Sequence, residues 1–528
     1  MDVQVGATLI RAVTAWRSRR RSPSETAACA GTPTRCARRA TTRPGTSPSA
    51  TGRFGGWGAA HRHAPGDRPP NALGRLPLRL AVDEKGLESH HSPQAIGLAE
   101  LSPSIEKGFR MSDIRDYDVV VVGGGPAGST TAALLAKNGR NVMLLEREKF
   151  PRYHIGESMI TGVIPALEEL GLIDELDKRF QPKYGISLVW GLDSEPWRAS
   201  FDQTGRYDHS WHVIRSEFDE LLLDTARGFG VHVEEQAHVT AVLSDENGTV
   251  TGVTYRRGGE TFHVTSRFVV DASGQARAVS RKLTEVSWQE DLRNVAIWNY
   301  FTPYVPLSDG RQGGDILVES VKTGGWIWGI PVAEDKLSLG HVLPATLVAE
   351  AAAQGLSHQG LFDRAVENSE VAKTMIANGA PVDKLRTARD WSHVCRSFHG
   401  PGWLSVGDAA GFIDPLFSQG VWLGTSGAWM AARALEAALK NPADTERALD
   451  RYELVYRVLY DEFLSFIRFF YDPNKLREIY LQRAQQDVWH PDGNLKVGFI
   501  TLISGIKALP NITGFDPLGT DLPKTVRM

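Results

Sequence analysis

The sequence predicts an α/β fold built on a parallel sheet. Three observations carry that prediction. A β-branched run, Asp118–Val122, leads into a glycine-rich turn. A helical stretch, Ser129–Asn138, follows the turn. A second apolar run, Asn141–Leu145, closes on the acidic Glu146.

Each element has a physical reason. A short run of Val with no polar alternation suits a strand buried on both faces, as in a parallel sheet. The turn reads Gly123-Gly124-Gly125-Pro126-Ala127-Gly128, a GxGxxG spacing between strand and helix. Gly123 permits the tight turn, Gly125 lets backbone approach a pyrophosphate, and Gly128 lets helix and strand pack closely. The helix start offers free N–H groups to phosphate oxygens. Glu146 stands where such units bind a ribose hydroxyl. A glycine turn alone is a weak signal. With strand, helix and acid in order, it predicts a dinucleotide site at Gly123, Gly125, Ala127, Gly128 and Glu146.

Composition narrows the class. The chain has 528 residues, 42 % of them apolar, and a formal net charge of −3. That length suits a large two-domain enzyme or three small domains. Residues 1–110 hold 17 basic and 8 acidic residues, a net +9, which leaves −12 over the remainder. An acidic body argues against nonspecific nucleic-acid binding, which relies on Lys and Arg to displace counterions. No apolar run reaches the roughly 18 residues of a membrane-spanning helix, so no membrane role is expected. The three cysteines, Cys29, Cys36 and Cys395, form no metal-binding spacing, and the body holds only one. This usage fits a reducing, cytoplasmic compartment without structural disulfides or metal.

Residues 1–110 lack a hydrophobic period, and residues 1–80 contain Arg but no Lys. Disorder is the expected state. An Arg-rich transit peptide is one reading. The other is translated upstream sequence, with the true start at Met111.

Two later segments choose the dinucleotide. Arg267–Gly274 reads as a strand ending in small residues, and Trp403–Gly411 as a strand entering a turn and helix. Both resemble motifs of glutathione-reductase-like flavoproteins. The resemblance implies a Rossmann-like FAD-binding domain, an interleaved sheet-rich substrate domain and a helical C-terminus. It implies that Asp408 meets the flavin ribityl chain and that Arg215, in Val213-Ile-Arg-Ser-Glu-Phe-Asp219, lies near the FAD phosphates. Val239, in the strand His238–Leu243, matches a backbone contact to adenine.

Three further motifs resemble those of flavin-dependent halogenases. Trp326-Ile-Trp-Gly-Ile-Pro331 matches their WxWxIP signature. In a strand, Trp326, Trp328 and Ile330 share one face. That face is either simple core or, as the resemblance implies, a wall beside the flavin. Lys183 sits in a setting like that of the family's essential lysine. There FADH2, O2 and chloride or bromide generate a hypohalous acid, which the ammonium polarises or a neutral amine captures as a haloamine. The segment Asp414–Val421 is similar to the family's halide loop. The resemblance places halide on the amides of Gln419 and Gly420, with Val421 against the flavin.

One departure bears on substrate. Tryptophan-type halogenases carry Glu where this chain has Phe417. The segment Phe150–Ser158 also looks like that of halogenases acting on phenols, pyrroles or carrier-bound acyl groups, where it runs along the flavin as a strap. His154 and Glu157 there read as a polar loop pair without a chemical role. The resemblance thus implies an electron-rich aromatic substrate, free or on an acyl or peptidyl carrier protein, and a separate flavin reductase.

Beyond Asp444, Tyr452, Leu459, Phe463, Phe466 and Phe470 recur at helical spacing and read as core. Trp489–Thr501 carries no clear pattern. The expected organisation is an FAD domain over 111–440, with a substrate part near 180–211 and 285–395, and a helical region over 441–528. Competing readings are an aromatic hydroxylase, an isoprenoid reductase and a non-catalytic FAD-binding module.

Overall fold

The computed structural model describes residues 116–191, 195–488 and 494–521. Expectations for residues 1–110, and for Trp489, lie outside the described residues. Among the described residues there is one sheet of eight strands, one of nine, and a two-stranded ladder.

The eight-stranded sheet carries the glycine turn. Its main path runs His399–Gly400, Trp403–Ser405, Glu260–Asp271, Tyr117–Val122, Val142–Leu145, His232–Glu234. The last five of these are parallel to one another. The sheet is covered on both sides, which explains the unbroken Val run. Val119, Val121 and Leu144 pack with the helices, whereas Val120, Val122 and Met143 pack with the antiparallel arm formed by His238–Ser244 and Val250–Arg257. That arm extends the strand ending at Asp271 back to Glu260, seven residues before the expected start at Arg267.

Helix α1 spans Pro126–Lys137 and begins three residues ahead of the expected Ser129. Proline is at ease in a first helical turn, where its missing N–H has no partner to lose. After Trp403–Ser405 the chain enters a short 3-10 turn, Gly407–Ala409. The long helix that follows the Asp414 segment starts at Gly420.

The nine-stranded sheet is largely antiparallel. It runs Gly411–Phe412, Arg386–Cys395, Val286–Thr302, Lys336–Pro344, Trp326–Ala333, Ile316–Ser320, Gly185–Val189, Trp197–Ser200. Strand alternation splits its residues cleanly. Ile297, Ile327 and Leu339 face a satellite core under three short helices. Trp298, Trp326, Trp328 and Ile330 face the main core, which also holds the helix-packed side of the first sheet. Gln181–Lys183 and Ser210–His212 form the separate ladder. Helix α2, Arg215–Gly228, follows it directly.

Helix α3, Gly420–Lys440, is buried along most of its length. Helix α4, Thr445–Phe470, buries Tyr452, Leu459, Phe463, Phe466 and Phe470, the stripe read from the sequence. Helices α5, Arg477–Asp487, and α6, Leu495–Ile503, close over that stripe. Phe417, Phe466, Phe470 and Phe499 form one aromatic cluster, with Phe417 and Phe470 edge-on at 4.8 Å. Each fully buried Phe stabilises the fold by about 1.5–3 kcal/mol. Among the described residues no single helix is long and apolar enough to cross a membrane.

Candidate active site

A cavity of about 400 Å³ opens at the carboxyl ends of the parallel strands. Gly123, Gly125, Ala127 and Glu146 line it. Gly123 has φ +109°, and a Cβ there would stand 2.4 Å from the Ala272 carbonyl oxygen. A Cβ at Gly128 would stand 1.9 Å from the Gly123 carbonyl oxygen. Only glycine fits at either position, the first for conformation and the second for packing. Gly125 caps α1, and a Cβ built there would meet only the Arg152 guanidinium, at 3.4 Å, so its backbone stays open to a guest. Glu146 is buried and accepts the N–H groups of Gly124 at 2.6 Å and Glu148 at 2.8 Å.

Arg215 opens α2 and is buried. Its Nε and Nη2 donate to the Asp219 carboxylate at 2.8 and 3.0 Å, and Nη1 donates to the Ile155 carbonyl at 2.7 Å. Arg152 reaches the same carboxylate at 3.0 Å. One acid thus clips two guanidiniums, and with them the segment Phe150–Ser158, against the cavity. Two cations against one anion leave positive charge where Gly125 is open.

Asp408 lines the same cavity. Burial raises its carboxyl to about 6, against the lowering pull of Arg215. No protein donor reaches that carboxylate among the described residues. A carboxylate without a donor, a bare glycine edge and a cationic rim together fit a ligand bearing hydroxyls and a pyrophosphate. FAD is such a ligand.

The tryptophan face closes the far end. Trp326 and Trp328 line the cavity, their ring centres 6.1 Å apart. Trp326 donates its indole N–H to the Tyr471 hydroxyl at 2.8 Å, and Trp328 to Ser338 Oγ at 3.2 Å. Asp414 in turn accepts from Tyr471 at 2.9 Å and from Asn294 Nδ2 at 3.0 Å. Burial lifts Asp414 to about 7, with Leu416 N–H, Tyr471 and Asn294 pulling it down. Glu157 is also buried and accepts the Tyr300 hydroxyl at 2.5 Å. Its carboxyl is raised by burial.

Lys183 is 1 % exposed. Its Nζ lies 3.5 Å from Ser418 Oγ and 5.5 Å from the Phe201 ring centre. Desolvation lowers it to about 7, opposed by Asp315. Ser418 lines the cavity and holds φ +61°, a left-handed backbone at a non-glycine residue. Gln419 and Gly420 follow it into α3, whose first N–H groups have no helical acceptor.

The comparisons agree on what this arrangement is. A family model described as FAD binding domain matches residues 116–457. A tryptophan 2-halogenase of Chondromyces crocatus is 34 % identical over 399 residues, covering 74 % of this chain and 75 % of its own. The flavin-dependent halogenase armH3 of Armillaria mellea is 32 % identical, covering 70 % and 77 %. The myxobacterial chondrochloren halogenase CndH superposes with TM-score 0.64 at 33 % identity, over 78 % of this chain and 95 % of that one. The chain belongs to the flavin-dependent halogenases.

In this halogenase the cavity gathers Gly123, Gly125, Ala127, Glu146, Arg215, Val239, Trp326, Trp328, Asp408, Gly420 and Val421. Three residues singled out from the sequence stand off its wall. Gly128 is spent on packing against Gly123. Gln419 turns its side-chain amide back to the Asp414 carbonyl. Lys183 lies behind Ser418. Arg215 is buried, its guanidinium held by Asp219 and the Ile155 carbonyl while it lines the cavity. Glu157 stands on the loop before Ser158, buried, with the Tyr300 hydroxyl donating to its carboxylate. Sequence reasoning missed Arg152, Asp414, Ser418 and Tyr471 as members of the site. Arg152, Asp414 and Ser418 stand inside motifs already noted, which was their only signal.

Proposed function

We propose that this halogenase chlorinates or brominates an electron-rich aromatic ring, a phenol or pyrrole, free or held on a carrier protein. A separate flavin reductase supplies FADH2, and the reaction proceeds in the cytoplasm. The observation that carries this reading is Lys183: a buried ammonium whose one hydrogen-bond partner, Ser418, stands on the flavin cavity wall. Most lysines are solvated. Burying one without a carboxylate in contact costs stability, and a catalytic task explains the cost.

The residues divide the work as follows. Gly125 and the α1 N-terminus hold the pyrophosphate, beside Arg152 and Arg215. Glu146 takes the ribose, Val239 the adenine and Asp408 the ribityl hydroxyls. Trp326 and Trp328 keep the organic substrate off the flavin, and Val421 packs against it. Halide sits on the amides of Gln419 and Gly420. Bound FADH2 supplies, with O2 and halide, the hypohalous acid. The Lys183 ammonium donates to its oxygen. Ring electrons attack the halogen, the halogen–oxygen bond breaks toward oxygen, and the Lys183 proton completes water. The displaced ring proton returns to the lysine. Phe417 supports a substrate other than free tryptophan: among Phe466, Phe470 and Phe499 it offers no carboxylate.

The test combines protein, flavin reductase, NADH, air and bromide or chloride with phenols and pyrroles, free and carrier-bound. Halide-dependent products with a halogen isotope pattern are expected, and Lys183→Ala is expected to lose them while retaining FAD binding. Products gaining oxygen alone indicate a hydroxylase and overturn the reading.

A further inference from the structure

The two-stranded ladder beside the flavin cavity carries a row of buried polar groups that the roles above leave unused. Lys183 pairs with Ser210, and Gln181 with His212, so Lys183, Ser210 and His212 project from one face. On its other edge His212 bridges Ser158, which shares that face and lines the flavin cavity. Ser210 and His212 are 0 % exposed and Ser158 6 %. Ser158 Oγ, Ser210 Oγ and His212 Nδ1 are all buried without a hydrogen-bond partner. Each such atom has given up water without a replacement partner, which costs stability. All three lie on the face that carries Lys183.

His212 is the member with a fixed polarity. Its Nε2 lies 3.0 Å from the Gly314 carbonyl oxygen, which can only accept. The ring proton is therefore on Nε2, and Nδ1 presents a bare lone pair. Desolvation and the charge of Lys183 both hold this imidazole neutral. On the same face, one strand pair along, the Lys183 ammonium has donors to spare, since Ser418 takes one at 3.5 Å. Asp315 is no rival acceptor, because Arg198 and Ser187 occupy its carboxylate. A donor and an acceptor across one face suit a small guest that accepts at oxygen and donates through its own O–H.

We infer that His212 is a positioning residue for the hypohalous acid: Nδ1 accepts its O–H while Lys183 donates to its oxygen, with Ser158 and Ser210 forming the polar wall between flavin cavity and lysine. The inference rests on the role proposed for Lys183. His212 forms and breaks no covalent bond. It holds the oxidant so that the halogen points at the ring, and keeps it from escaping.

The experiment uses the full chain with flavin reductase, NADH and bromide. It measures brominated phenol and a brominated soluble β-diketone trap, each per O2 consumed. His212→Leu is expected to lower phenol product per O2 by about tenfold, the loss of roughly one hydrogen bond to the guest, with the missing oxidant appearing on the trap. FAD affinity of the apoprotein stays unchanged. His212→Asn, whose amide oxygen stands near Nδ1, is expected to recover most of the product. Wild-type partitioning in His212→Leu overturns the inference, as does a His212→Asn that fails like His212→Leu with weakened FAD binding. If Lys183→Ala still brominates the phenol, the underlying role of Lys183 fails instead.

Discussion

Trp326 hands its indole proton to the hydroxyl of Tyr471, 145 residues along the chain and 2.8 Å away. The same hydroxyl serves Asp414, so one phenol joins the tryptophan face to the loop that bears Ser418 and Gly420. Tyr471→Phe deletes that hydroxyl and leaves Trp326 Nε1 and the Asp414 carboxylate short of a partner in a buried setting. The expected loss is about 1–3 kcal/mol of folding stability, read from the urea midpoint at unchanged slope. A midpoint equal to wild type would show that the hydroxyl ties nothing.

Lys183 makes stability depend on pH in a defined direction. Burial holds its folded-state pKa down at about 7, well below the ordinary 10.5 of a solvated lysine. The penalty for burying the ammonium is full below pH 7, where both states are protonated. It fades as pH rises toward the unfolded value, because the unfolded chain then binds the extra proton. Lys183→Met removes this penalty. The variant is expected to exceed wild type in stability at pH 6 to 7, with the gap closing by about pH 10. Equal midpoints across that range would place the ammonium in water.

Asp408 and Gly128 separate two ways of losing FAD. Asp408→Ala removes a carboxylate facing the cavity while leaving the fold alone, so FAD affinity falls by about tenfold or more and apoprotein stability rises slightly, since burial disfavours this anion. Gly128→Ala drives a Cβ to within 1.9 Å of the Gly123 carbonyl oxygen. It is expected to lower apoprotein stability and FAD binding together. Titration of flavin fluorescence and thermal unfolding of each variant distinguish the two.

Gly420 tests the proposed halide site with little steric cost, since no atom lies within 4 Å of a Cβ built there. Gly420→Ala is expected to leave halide dependence near wild type. Gly420→Pro removes one N–H at a helix start that otherwise tolerates proline, and the halide concentration giving half-maximal rate is expected to rise about tenfold. Proline also strains Gln419, whose φ is −82° and ψ −11°. Thermal unfolding reads that strain separately. An unchanged halide response would move the anion elsewhere.

What the sequence disclosed was local. The glycine turn, Glu146 and the tryptophan face are legible because strand alternation and turn sterics act within a few residues. The α4 stripe is legible for the same reason at helical period. The two-sided burial of Val119 to Val122 could be read, but not that its second cover is an antiparallel arm. Distance along the chain hid the rest. Nothing near Tyr471 announces Trp326, and nothing near Arg152 announces Asp219. The burial of Lys183 is illegible in a residue type that is usually solvated. It depends on Phe201 and Ser418, which the fold brings from opposite directions.

One apolar cluster runs from Val119 in the first strand, through Trp326 and Phe417, to Phe515 near the end of the described chain. The helix-packed side of the glycine-turn sheet and the tryptophan face therefore share one interior, beside the smaller clusters on the other face of each sheet. Heat or denaturant should melt the described parts of both sheets as a single unit. Evolution faces the same constraint: a new substrate must be accommodated by repacking a shared interior, where each change is also felt by the flavin.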